Sequence, residues 1–167
     1  MQEKILSDNP FIKTIDNVLN NAECSHLINI SKDHLQDSVV SFKDGPNKSS
    51  GRTSKTAWLK HDTDNITKEI ANKIAKLVGL PLKNAESIQI VEYKEGGEYR
   101  SHYDSWIHNN SEKTLRLVKY GGARLSTALV YLNNIKIFKL IHKIITFKFP
   151  IFFIFIWHTY MFHKHFC

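Results

Sequence analysis

A chain of 167 residues with 42% hydrophobic and 23% charged side chains is long enough to bury a core and too ordinary in its balance to be disordered. Its formal charge of +7 does not mark a nucleic-acid binder: residues 1–134 carry 18 Lys and Arg against 16 Asp and Glu, and the other five Lys fall in 135–167, where there is no acid. Cys24 and Cys167 stand at opposite ends, without disulfide-framework or zinc spacing. Cys24, at helical spacing from Leu27 and Ile28, reads as a small core hydrophobe. The first eight residues lack the apolar run of a signal peptide, so an intracellular, cytoplasmic compartment is expected.

Phe11, Ile12 and Ile15, followed by Val18 and Leu19, predict a short strand and its exit. Asn20 and Asn21 then offer an N-cap to a helix over about 22–35, with Leu27, Ile28, Ile30 and Leu35 near the 3.6-residue period. Val39 to Phe42 is strand-like, and 43–51, rich in Gly, Pro, Asn and Ser, is a loop. A strand returns over 53–59. Thr63-Asp64-Asn65 caps a second helix over 66–78, where Ile66, Ile70, Ile74 and Leu77 recur and Gly79 with Pro81 ends the run. Strands are expected at 87–93, at 99–103 after the Gly96-Gly97 turn, and at 125–132, with a polar loop over 109–119. Helices that precede most of the strands suit an α+β arrangement, in which they support one side of an antiparallel sheet.

Residues 135–167 differ from the rest, with eight Ile, eight Phe and five Lys and no Gly, Ala, Val, Ser, Asn, Asp or Glu. The apolar run 149–157 contains Pro150 and falls well short of the roughly 20 residues that span a bilayer. Lys, Ile and Phe share codons dominated by A and T. The segment therefore reads as translated non-coding or frame-shifted sequence, with a membrane anchor as the alternative.

The chemistry concentrates between Glu92 and Trp106. His102 and Asp104 lie two residues apart, which in a strand aims both side chains at one face. An imidazole and a carboxylate, completed by a second imidazole, form the facial triad of non-haem iron(II) oxygenases. A lone His-x-Asp is as readily a surface loop, so its surroundings decide. Five blocks stand in order: Asn9-Pro10-Phe11 through Leu19 with Glu23-Cys24; Arg52-Thr53-Ser54 with Trp58-Leu59; Glu86 through Tyr93; Gly97-Glu98-Tyr99 with His102-Tyr103-Asp104; and Gly121-Gly122-Ala123-Arg124 through Asn133. Together they resemble the catalytic domain of the prolyl 4-hydroxylases, within the iron(II)- and 2-oxoglutarate-dependent dioxygenases. The resemblance covers 9–134.

That resemblance implies the N-terminal half of a double-stranded β-helix, a jelly roll, in a domain over 1–134 with 135–167 as a tail. It implies hydroxylation of prolyl residues in a peptide or protein, as by a procollagen-proline 4-dioxygenase, with iron, 2-oxoglutarate and ascorbate. By match to the family, His102 and Asp104 are iron ligands and Tyr93 contacts 2-oxoglutarate. Arg52, Ser54, Glu86, Tyr99 and Arg124 contact the peptide or order the loop closing over it. Thr127 is expected to line the barrel interior, and Trp58 and Trp106 to pack. Past Asn134 the family's Gly-Gly-Glu-Thr turn, second iron-binding His and 2-oxoglutarate-pairing Lys have no counterpart, and His142, His158, His163 and His165 lack the family's context. Two alternatives therefore stand beside the enzyme: a catalytically dead, truncated remnant that binds peptides at most, and a tail-anchored membrane-associated protein.

Overall fold

The computed structural model describes residues 1–42, 45–102, 104, 112, 114–115, 124–133 and 151–159. Two strands, β1 (Glu3–Asp8) and β2 (Phe11–Ile15), open the chain as an antiparallel hairpin turning at Asn9-Pro10. Its residues are mostly exposed, and Phe11 is 63% accessible. Helix α1 (Asn21–Ser31) begins at a reciprocal cap. The Asn20 side-chain oxygen accepts from the Glu23 N–H (2.8 Å), and the Glu23 carboxylate accepts from the Asn20 N–H (2.8 Å). The helix ends at Ser31 and tightens into a 3-10 turn, Lys32–His34, so Leu35 lies beyond it, contrary to the expected boundary.

Next come β3 (Gln36–Asp37), the hairpin of β4 (Val40–Phe42) with β5 (Gly45–Asn47), and β6 (Lys55–Leu59). Part of the expected 43–51 loop is thus a strand, and six strands, not a minority, precede the second helix. Strands of two or three residues, such as β3, β4 and β5, are too short to show an alternation. Helix α2 (Asn65–Val78) is capped by Asp64, whose carboxylate accepts from the Thr67 N–H (2.7 Å), and stops at Gly79, where φ is +77°. It buries Thr67, Ile70, Ala71, Ile74 and Ala75, while Ile66, expected on that stripe, is exposed.

Two strands flank the site, β7 (Ile88–Tyr93) and β8 (Arg124–Tyr131), and β9 (Ile151–Thr159) follows. The main sheet has the order β3-β6-β7-β9-β8, all neighbours antiparallel. Part of the Ile/Phe/Lys-rich segment is therefore hydrogen-bonded on both edges, to β7 and to β8. No helix among the described residues is long and apolar enough to cross a membrane.

Pleating sorts the sheet into two faces. Ala57 and Leu59 of β6, Ile88 and Ile90 of β7, and Ala128 and Val130 of β8 meet Leu27 of α1 and Ile70 and Ile74 of α2. Each fully buried Leu or Ile there stabilises the fold by about 1.5–3 kcal/mol. The alternate residues, among them Thr56, Val91, Tyr93 and Thr127, lie on the face away from the helices. Trp58 shares that parity and is 54% exposed, so it does not pack as expected.

The expected strand at 99–103 does not form among its described residues. Tyr99 makes one bridge to Arg52, and Ser101 and Asp104 lie in bends. The chain does run beside 51–53: Thr53 N–H donates to the Glu98 carbonyl (3.0 Å) and Arg100 N–H to that of Gly51 (2.9 Å). The Glu98 N–H, however, goes to the Thr53 hydroxyl (2.8 Å) instead of a main-chain oxygen, which breaks a regular ladder.

Candidate active site

His102 and Asp104 meet despite the missing strand, with His102 Nε2 standing 3.2 Å from Asp104 Oδ1. His102 Nδ1 lies 2.8 Å from the Arg100 carbonyl oxygen. A carbonyl can only accept, so that nitrogen carries a hydrogen and Nε2 is the nitrogen turned toward the carboxylate. With metal–ligand bonds of about 2.1 Å, two ligands at right angles stand about 3.0 Å apart, so the pair has the bite of adjacent ligands to one divalent ion. The donor set fits ferrous iron, for which imidazole and carboxylate are both suitable.

The remaining residues singled out from the sequence converge on this pair from two sides. On one side Tyr99 stacks on His102, with ring centroids 3.7 Å apart and planes inclined by 23°. The Arg52 guanidinium carbon lies 4.6 Å from the centre of the Tyr99 ring, a cation–π contact. Arg52 also donates to the Val39 carbonyl (3.0 Å), the Ser54 hydroxyl (3.3 Å) and the Thr56 hydroxyl (3.4 Å). Ser54 is buried and bonds Ser38 (2.8 Å), which in turn bonds Thr56 (2.6 Å). Tyr93, 5% exposed, joins this net through a hydrogen bond with Ser54. Burial pushes the Tyr93 phenol up, with the Ser54 bond and the Arg52 charge acting against it, so the hydroxyl stays protonated through the neutral range.

On the other side Arg124 forks onto Glu86, Nε to Oε1 at 2.7 Å and Nη2 to Oε2 at 2.9 Å. Its Nη1 donates to the Asp104 carbonyl (3.3 Å), and the Thr127 hydroxyl donates to Asp104 Oδ2 (3.1 Å). All eight residues, His102, Asp104, Tyr93, Arg52, Ser54, Glu86, Tyr99 and Arg124, thus belong to one connected set of contacts. Thr127 faces Asp104 from the exposed face of β8.

Several participants escaped the sequence reading. Ser38, Thr56 and His61, whose Nε2 lies 2.8 Å from the Glu86 carbonyl oxygen, carry no motif, because their roles exist only once β3, β6 and β7 are paired. Among the described residues no third His, Cys, Asp or Glu joins His102 and Asp104. His158 lies on β9 as the backbone partner of Ser126. His142, His163, His165, Tyr103 and Trp106 lie outside the described residues, as does most of the expected 109–119 loop.

Comparison with known proteins shows a related fold. The chain is similar to the viral collagen prolyl hydroxylase of Paramecium Bursaria Chlorella virus-1, solved as its 2OG complex, with a TM-score of 0.52 and 23% identity over 89% of this chain and 81% of that one. Likeness at that identity is one of fold. In sequence the chain is similar to proteins named prolyl 4-hydroxylase. It is 31% identical over 134 residues to Prolyl 4-hydroxylase 5 of Arabidopsis thaliana, which is 79% of this chain and 44% of that protein. It is 33% identical over 134 residues to Probable prolyl 4-hydroxylase 8 of the same plant, again 79% and 44%. The chain spans less than half the length of these relatives. No protein-family model matches it.

Proposed function

We propose that the chain carries part of the active site of an iron(II)- and 2-oxoglutarate-dependent dioxygenase that hydroxylates prolyl residues in a peptide or protein, with ascorbate as reductant. The observation that carries the reading is the pairing of His102 Nε2 with Asp104 Oδ1 at 3.2 Å, one stacked ring away from Tyr99 and Arg52. Homology to proteins named prolyl 4-hydroxylase supports the reaction type. When bound, ferrous iron with 2-oxoglutarate supplies the oxidising power that places an oxygen atom on a C–H carbon, with succinate and carbon dioxide as co-products.

The chain's own residues supply binding and orientation. The hydrogen bond from His102 Nδ1 to Arg100 fixes the ring so that Nε2 can ligate. The protonated Tyr93 hydroxyl can donate to a carboxylate of 2-oxoglutarate. Arg52, Ser54 and Tyr99 serve the peptide: a Tyr ring can lie against a proline, and the Arg52 guanidinium can donate to peptide carbonyls. Glu86 and Arg124, paired with each other, order the neighbouring segment.

The test is succinate release from 2-oxoglutarate with iron, ascorbate and a proline-rich peptide, with hydroxyproline read by mass spectrometry. Turnover in wild type that is lost in Asp104→Ala supports the reading. No turnover and no iron retention would leave a peptide-binding surface at most.

A further inference from the structure

Asp104 is gripped from β8 at two points. The Thr127 hydroxyl donates to its Oδ2 at 3.1 Å, which turns the other oxygen, Oδ1, toward His102. Three residues earlier on the same strand, Arg124 Nη1 donates to the Asp104 carbonyl at 3.3 Å. A guanidinium is a rigid plane whose five N–H bonds have fixed directions. With Nε and Nη2 committed to Glu86, the direction of Nη1 is set as well. Glu86 is anchored in turn, since its carbonyl lies 2.8 Å from His61 Nε2. The anchored segment precedes β7, so the grip on Asp104 is tied to two strands of the main sheet.

We infer that Glu86, Arg124 and Thr127 are positioning residues that hold Asp104 in its ligating orientation before any metal arrives. In this role Arg124 acts on the metal-bearing turn, not on the peptide. The inference rests on reading His102 and Asp104 as a metal pair. It matters most for a site with few protein ligands, because a carboxylate free to rotate binds an ion far less well than one already aimed.

The test uses Co(II) alone, titrated without oxygen into the full chain and followed by visible absorption. Thr127→Val, nearly the same shape without the hydroxyl, is expected to weaken Co(II) binding about 10- to 100-fold, and Thr127→Ser to restore it. The unfolding midpoint should stay close to wild type in both, which separates aiming from folding. Equal affinity in Thr127→Val overturns the role of Thr127. Should wild type take up no cobalt, the metal reading fails, and the grip is then tested in the metal-free protein by hydrogen–deuterium exchange. There Arg124→Lys, which keeps the charge but cannot make the fork and the third bond together, should speed exchange over 100–104 and leave 88–93 unchanged. Unaltered exchange over 100–104 overturns the grip itself.

Discussion

Replacing Tyr93 by Phe removes one hydroxyl from a buried net and leaves the ring in place. Ser54, its partner, keeps Ser38 and Arg52, so no buried group is stranded on that side. The net loss of one hydrogen bond is then about 1 kcal/mol, a fall of about 2–4 °C in the unfolding midpoint for a chain of this size. Affinity for 2-oxoglutarate should suffer far more. A bond from the phenol to a carboxylate is charge-assisted, about 1.5–3 kcal/mol, or roughly 10- to 150-fold in Kd. Thermal unfolding and calorimetric titration of 2-oxoglutarate into the Mn(II)-loaded protein measure the two effects separately. Unchanged affinity would refute the contact with the cosubstrate. A loss of stability above about 3 kcal/mol would show that the Ser54 net depends on Tyr93 more than its remaining bonds imply.

Acid should loosen the contact between the helices. Partial burial pushes the Glu23 carboxyl up, but Lys73 and the Asn20 N–H outweigh it and hold it below the ordinary range. Asp64 is likewise held down, against its burial, by Thr67 and His26. Their contribution is therefore complete above the unfolded values near about 4 and is lost as pH falls through the lower folded values. Urea unfolding at pH 7 and below about pH 4 should show a steeper loss in wild type than in Glu23→Gln/Asp64→Asn; equal slopes would contradict this. Tyr93 has the opposite sign: its raised folded value means that stability holds below about pH 10 and falls as the phenol is forced to ionise above it. Tyr93→Phe should flatten that alkaline limb. A Cβ at Gly97 would sit 2.9 Å from the Lys94 carbonyl and 3.4 Å from the Tyr93 ring, so Gly97→Ala should cost about 1–3 kcal/mol and disturb Tyr93, measurable as a lower midpoint in urea. Ending the chain at Asn133 removes β9 and leaves the facing edges of β7 and β8 unpaired; light scattering should then report aggregation, and a monodisperse folded product would show that the strand is dispensable.

The helices were legible because their signals are local. Asn20 with Glu23, Asp64 before Thr67, and Gly79 mark ends that lie within a few residues of the groups they satisfy. Strand β1 was not legible, since it is exposed along nearly its whole length and so lacks alternation. The run containing β9 carries apolar residues without a period, and such a pattern does not separate a strand from other apolar segments. His102 and Asp104 stood out by chemistry and by family likeness, yet the reasoning from a strand did not hold. What brings them together is a bend fixed by Thr53, Glu98 and Arg100, and no spacing rule reports that. The grip on Asp104 joins positions 20 and more residues apart in sequence, which only the folded sheet makes neighbours.

Tyr93 and Thr127 belong to strands that do not touch, because β9 runs between them. They pair with β9 six residues apart, at Ile151 and Trp157, while adjacent strands lie about 4.8 Å apart, so β7 and β8 themselves are held about 10 Å from each other by the width of one backbone. The late, compositionally odd stretch is thus the gauge block of the site. Any sequence that keeps both ladders would preserve that spacing, and one that broke either would let the two strands close or part.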